Sequence, residues 1–168
     1  MSAKLPQRSL PDRERPRAPS GKNRDMSVFT MIIDGQIPGT FVWADEVCVA
    51  FSTIEPIAAG HVLVVPREEI EQYSDLPDDV AAHLAIVAAR IGRAQRVAFD
   101  APRSALLVAG FEVPHTHIHV LPAWGEEHLS FAYAKAAPAE EIRAAAEKLR
   151  AQLVADGWEA NVPPIDGL

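Results

Sequence analysis

The sequence predicts an α+β domain with a mainly antiparallel sheet. Three observations point there: short β-branched runs separated by hairpin-length loops, two longer stretches with apolar residues at helical spacing, and no internal repeat or linker between two units. The chain has 168 residues, enough for one ordinary core. Residues 1–25 are expected to be a disordered basic arm, residues 26–160 a single domain, and residues 161–168 a tail. The arm holds four prolines and seven basic against three acidic residues, and it lacks hydrophobic periodicity. It reads as a solvated extension upstream of a start at Met26 rather than as a nucleic-acid tail.

Val28–Ile33 is a short apolar run that ends at Asp34-Gly35, and its length suits either a helix or a strand. Pro38-Gly39 marks a turn. Phe41–Trp43 and Val47–Phe51 read as two strands joined by a hairpin loop. His61–Val65 is a β-branched strand halted at Pro66. A long helix follows at about 78–99, with Asp75 as N-cap and Pro77 in the first turn. Val80, Leu84, Val87, Ile91, Ala94 and Ala98 give it one apolar stripe. Ser104–Ala109 and His115–Leu121 read as two further strands. A last helix runs from about Pro138 to Ala155, with Ile142, Ala145, Leu149 and Leu153 inward.

Composition narrows the function classes. Net charge is −7, with the first 25 residues at +4 and the remainder at −11. An acidic body is a poor general surface for polyanions, so nucleic acid is not the expected partner and any phosphate must be held by a local site. No run of eighteen apolar residues exists, so no membrane span is expected. Cys48 is the lone cysteine, which rules out a disulfide framework and fits a reducing cytoplasm.

Three of the six histidines fall in His115-Thr116-His117-Ile118-His119. On a strand, alternate side chains share a face. The imidazoles therefore point one way, and Thr116, Ile118 and Val120 the other. Period-two imidazoles serve two chemistries. A His-x-His pair with Glu112 or His61 could converge on a metal, although three rings spaced about 6.6 Å apart along a straight strand cannot easily share one ion. Alternatively, one neutral imidazole could attack phosphorus while its neighbours donate to phosphate oxygens.

The string His115 to Leu121 resembles the signature of the histidine triad (HIT) family. Val28–Pro38 looks like that family's opening segment. Ala50-Phe51, Ile54, Pro56 and Gly60–Arg67 look like its second block, in matching order and spacing. The likeness spans roughly residues 28–124. It implies a HIT-like fold, a five-stranded mainly antiparallel sheet with a long helix and a C-terminal helix. It also implies a homodimer with the long helix at its interface, the two sheets running together.

It further implies that His117 is the nucleophile attacking the α-phosphorus of a nucleotide, with a backbone carbonyl holding its Nδ1 proton. His119 would contact phosphate oxygens, His115 would fix geometry from behind, and His61 would complete the cluster. Val28, Phe29, Ile32, Phe51 and Ile54 would wall a purine, and Thr53, Gly110 and Glu112 would line the substrate. The sequence departs from the family at several of these positions. Thr53 stands where an Asp often grips the ribose. Phe111 and Glu112 stand where a Gln and a Ser or Thr often precede the triad. Glu112 could act as a general acid if its pKa is raised, and would repel phosphate if ionised. Ser27 and Thr30 replace the zinc-binding Cys-x-x-Cys of some bacterial members, so no metal is expected there. No cofactor is expected to be required, though adventitious zinc at the histidines would be unsurprising.

The expected function is cleavage of a P–N or P–O bond at the α-phosphate of a nucleoside monophosphate conjugate, through a nucleotidyl-histidine. The alternatives are a dinucleoside polyphosphate hydrolase, and a nucleotide-binding or metal-binding protein with little turnover.

Overall fold

The structure, a computed structural model, describes residues 26–168; the basic arm read at 1–25 lies outside the described residues. Five strands form one sheet in the order β1-β2-β3-β5-β4: β1 Phe41–Ala44, β2 Cys48–Ser52, β3 Val62–Pro66, β4 Arg103–Leu107 and β5 Ile118–Ala123. Every neighbouring pair is antiparallel. The three helices are α1 Val28–Ile33, α2 Asp78–Ala98 and α3 Ala139–Ala155. The α+β class and the five-stranded antiparallel sheet read from the sequence are those of the molecule.

Strand alternation divides the sheet into two faces. Cys48, Ala50, Val62, Val64, Ile118 and Val120 join one cluster with Leu84, Val87 and Ile91 of α2 and Ala146, Leu149 and Leu153 of α3. Val49, Phe51, Leu63 and Val65 point the other way and pack with Phe29 and Ile32 of α1. α1 is one and a half turns long, so it covers only part of its face, and the triad occupies the remainder.

Several boundaries differ from the sequence reading, each for a local reason. Val28–Ile33 is a helix, because Ser27 caps it by accepting from the Thr30 N–H at 3.1 Å. Asp75 does not cap α2; it sits in a short 3₁₀ turn and Pro77 is the N-cap, so Asp78 and Asp79 fill the first turn. Ala146 rather than Ala145 is the buried alanine of α3. β4 is Arg103–Leu107 rather than Ser104–Ala109. β5 begins at Ile118 and not at His115. Residues 115–117 lie outside the ladder: the Thr116 N–H donates to the Ile70 carbonyl at 2.7 Å and its hydroxyl to the Glu71 carbonyl at 3.4 Å. The β3–α2 loop, not a strand, therefore sets the first histidine's position.

The two edges of the sheet end differently. On β1 the Phe41 N–H donates to the Ile165 carbonyl at 2.8 Å and Arg150 donates to the Phe41 carbonyl at 2.7 Å. Trp158 packs on Trp43, and Arg90 lies 4.1 Å over the Trp158 ring. Residues after α3 thus close the β1 edge. β4 pairs only with β5 among the described residues.

Candidate active site

Four imidazoles gather on the α1 face, and their hydrogen bonds fix every tautomer. The His117 Nδ1 lies 2.8 Å from the His115 carbonyl oxygen. A carbonyl only accepts, so Nδ1 carries the proton and Nε2 keeps a free lone pair. The Ile57 N–H donates to the His61 Nδ1 at 3.1 Å, so a neutral His61 holds its proton on Nε2. That proton goes to the His119 Nδ1 at 3.0 Å, which leaves His119 with an Nε2–H to offer. His115 donates its Nε2–H to the Pro66 carbonyl at 2.8 Å and accepts the Ser27 hydroxyl at its Nδ1, also at 2.8 Å. Next to one another, then, stand a lone pair on His117 and a donor on His119, with ring centroids 4.8 Å apart.

Burial keeps these rings neutral. Desolvation lowers His61 to about 3 and His119 to about 4, the neighbouring histidine adding to each. Desolvation also lowers His115 and His117; the Glu112 carboxylate works against the shift at His117. At neutral pH the cluster is uncharged.

The order behind His115 comes from α1 and from Glu69. Glu69 accepts the Ser27 N–H at 3.0 Å and the Thr30 hydroxyl. Burial would raise the Glu69 carboxyl, but these bonds hold it below the ordinary carboxylate range. Behind His61, Gly60 has φ +86°, and a Cβ there would meet the Phe99 ring at 2.4 Å. The buried Gln95 of α2 donates at 2.9 Å to both the Gly60 and Val120 carbonyls. Glu69 and Gln95 escaped the sequence reading. Gln95 had a visible signal, since it follows Ile91 by four residues and so interrupts the buried stripe with an amide.

A cleft opens over the triad. It is lined by His61, His117 and His119, by Thr53 and Glu55, by Ala109 to Glu112 of the β4–β5 loop, and by Phe131 and Ala134 beyond β5. Of the residues read from the sequence as substrate-lining, Thr53, Gly110 and Glu112 border it. His115 lies fully buried behind it. None of the five apolar residues expected to wall a purine lines this cleft. Phe29 and Phe51 are buried in the α1-face cluster, Phe29 edge-on to His117 at 4.9 Å. Ile32 packs beside them, while Val28 and Ile54 expose their side chains, Ile54 at 75%.

The geometry and the comparisons agree on ancestry. The HIT domain family matches residues 34–125, more than half of the chain. The chain belongs to the HIT family. An uncharacterized HIT-like protein of Methanocaldococcus jannaschii is 35% identical over 103 residues, 59% of this chain and 80% of that protein. The adenosine 5'-monophosphoramidase of Saccharomyces cerevisiae is 28% identical over 101 residues, 60% of this chain and 64% of that enzyme. Among solved structures, a zinc-bound histidine triad family protein from Mycobacterium smegmatis superposes with TM-score 0.68 at 29% identity. That likeness covers 77% of this chain and 94% of the other.

In this HIT protein, Ser27 and Thr30 make hydrogen bonds to His115 and Glu69. The described residues do bring three donor atoms within 4.8 Å of one another, but elsewhere, at Asp45, Cys48 and His83. That cluster fits a metal poorly. Asp45 already accepts from the Trp43 indole, from the Val47 and Cys48 amides and from His83, each at 2.8 Å. Burial favours protonated Asp45, yet those bonds hold it at about 2. Burial pushes the Cys48 thiol well above its ordinary value, so a thiolate ligand is disfavoured. No helix in the described residues is long and apolar enough to cross a membrane.

Proposed function

We propose that this protein cleaves the P–N bond of a nucleoside 5'-phosphoramidate through a nucleotidyl-His117 intermediate. The observation that carries the reading is the 2.8 Å bond from the His117 Nδ1 to the His115 carbonyl, which leaves the Nε2 lone pair to the cleft. Nε2 attacks the α-phosphorus as the P–N bond breaks. The bonding pair leaves with the amine nitrogen, which takes a proton from water. The modified ring becomes cationic, and its Nδ1–H···O=C bond strengthens as that charge appears. The Nε2–H of His119 donates to a phosphate oxygen as negative charge develops. Water then attacks phosphorus, releases the nucleoside monophosphate and restores Nε2; another acceptor in place of water would make the same step a transfer.

Charge supports a phosphoramidate over a dinucleoside polyphosphate. The cleft lining includes two carboxylates, Glu55 and Glu112, and neither Lys nor Arg. With neutral imidazoles, nothing there balances a chain of phosphates. One bridging phosphate with an amine leaving group demands far less. The yeast relative's monophosphoramidase name agrees with this preference.

The test is intact-mass detection of a nucleotidyl adduct after rapid quench. Adenosine phosphoramidates should add one nucleotidyl group to the wild-type chain and none to His117→Ala. Equal labelling of the variant, or turnover of diadenosine tetraphosphate in preference to phosphoramidate, would overturn the reading.

The open β4 edge, the half-exposed Leu106 on it and Ile86 on α2 favour a homodimer in which two copies of β4 pair. Light scattering would give twice the chain mass, and Leu106→Lys would reduce it to one.

A further inference from the structure

We infer that a second cavity, between the β2–β3 loop and α3, binds a small aliphatic α-amino acid as its zwitterion. The inference goes beyond the chemistry proposed at His117 and does not depend on it. The cavity has a volume of about 180 Å³, room for one small molecule and too little for a nucleotide. It shares Thr53 and His61, and no other lining residue, with the cleft over the triad.

The walls of this cavity are fixed without an occupant. On the loop side, the His61 N–H donates to the Ala58 carbonyl at 3.1 Å, the Ile57 N–H to the His61 Nδ1 at 3.1 Å, and Gln95 to the Gly60 carbonyl at 2.9 Å. On the far side, α3 is anchored through Ala146, Leu149 and Leu153 in the core. The Ala137 N–H joins the two sides by donating to the Ile54 carbonyl at 3.2 Å. Ile142 and Ala145, one turn apart on α3, stay half-buried and line the cavity with Ile57. Three apolar side chains thus face a preformed space that the core does not fill.

Charge selects the ligand. Lys135 and Glu141 also line the cavity, and neither forms an ion pair among the described residues. A simple anion would face the Glu141 carboxylate, and a simple cation would face the Lys135 ammonium. A molecule that carries both charges satisfies both groups: its ammonium donates to Glu141 and its carboxylate accepts from Lys135. An aliphatic side chain then meets Ile57, Ile142 and Ala145. An occupant against Ile57 lies one hydrogen bond from His61 and two from His119.

The test titrates the full chain with L-leucine and follows the Ile57 amide in nitrogen–proton correlation spectra. Leucine should shift that resonance saturably, with adenosine monophosphate present or absent. N-acetylleucine, which lacks the cation, and leucinamide, which lacks the anion, should each bind about fivefold more weakly, the scale of one partly solvated ion pair. Glu141→Gln should abolish the preference over N-acetylleucine, and Lys135→Gln the preference over leucinamide. Both positions are exposed, so both variants should fold. Ala145→Leu should fill the space and remove the shift. No saturable shift at millimolar leucine would overturn the site. So would equal binding of the three ligands, preferences unchanged in the charge variants, or full competition by adenosine monophosphate, which would move leucine to the triad cleft.

Discussion

The two faces of the sheet solve opposite problems with the same five strands. On the face under α2 and α3, aliphatic side chains meet two long helices and water is excluded. Here burial is its own reward, and one buried amide, Gln95, is fully bonded. On the other face a six-residue helix covers Phe51 and Leu63 and stops, leaving imidazoles at the border between core and cleft. Those rings are buried enough to be neutral, and a partner on at least one nitrogen assigns each tautomer. The lesson is that the dry face sets distances and the half-covered face sets protonation. Neither alone would hold a neutral nucleophile beside a neutral donor.

The contrast is broken most severely at the half-covered face. His117→Ala removes the nucleophile while Phe29 and His115 keep their packing, so turnover should fall by at least about 10⁴-fold with little change in the melting temperature. Steady-state assay beside thermal denaturation checks both parts. His119→Ala removes the Nε2–H donor and frees the His61 proton; kcat should drop about 10²–10³-fold, with KM changing less. A comparable loss in KM alone would mean that His119 binds the ground state only.

How much of this could be read beforehand differs between the faces. The α2 stripe and the β-branched strands obey a period, so the fold class and the helix-covered core followed from spacing. The histidines obeyed a period too, and the sequence placed their shared face. Their partners have no period. The Pro66, Ile57 and His115 groups that fix the tautomers are backbone atoms, which any side chain could carry. Glu69 reaches Ser27 and Thr30 from 39 residues or more away. The purine wall read from family likeness mixes buried and exposed residues, because the likeness locates positions but not how far α1 reaches.

Breaking the dry face should affect stability rather than chemistry. Gln95→Leu removes the amide that donates to the Gly60 and Val120 carbonyls and accepts from the Ser104 hydroxyl, so unfolding free energy should fall by about 3 kcal/mol. Denaturant titration measures it, and an unchanged midpoint would show that water replaces the amide. A pH series sharpens the comparison further. His61 is lowered to about 3 when folded, against 6.5 when unfolded. As pH falls below 6.5 the unfolded chain takes up a proton that the folded chain refuses, so the stability associated with neutral His61 is present above 6.5 and lost between 6.5 and about 3. His61→Gln cannot titrate. Between pH 7.5 and 5.5 wild type should lose about 1 kcal/mol more than this variant. Parallel curves would mean that His61 is accessible to protons in the folded protein.

The smallest expected effect lies at the seam between the two regimes. The Ser27 hydroxyl caps α1 through the Thr30 N–H and donates to the His115 Nδ1, so one side chain serves both the helix and the triad. Ser27→Ala should cost about 1 kcal/mol, the usual value of an N-cap. The His115 Nδ1 would lose its donor, but its Nε2–H bond to the Pro66 carbonyl remains and still fixes the tautomer. Turnover should therefore fall only a few-fold. A larger loss of activity than of stability would show that His115 transmits the capping bond through its carbonyl to the His117 Nδ1. The half-covered face would then act as one chain of hydrogen bonds from α1 to the nucleophile, rather than as separately seated rings.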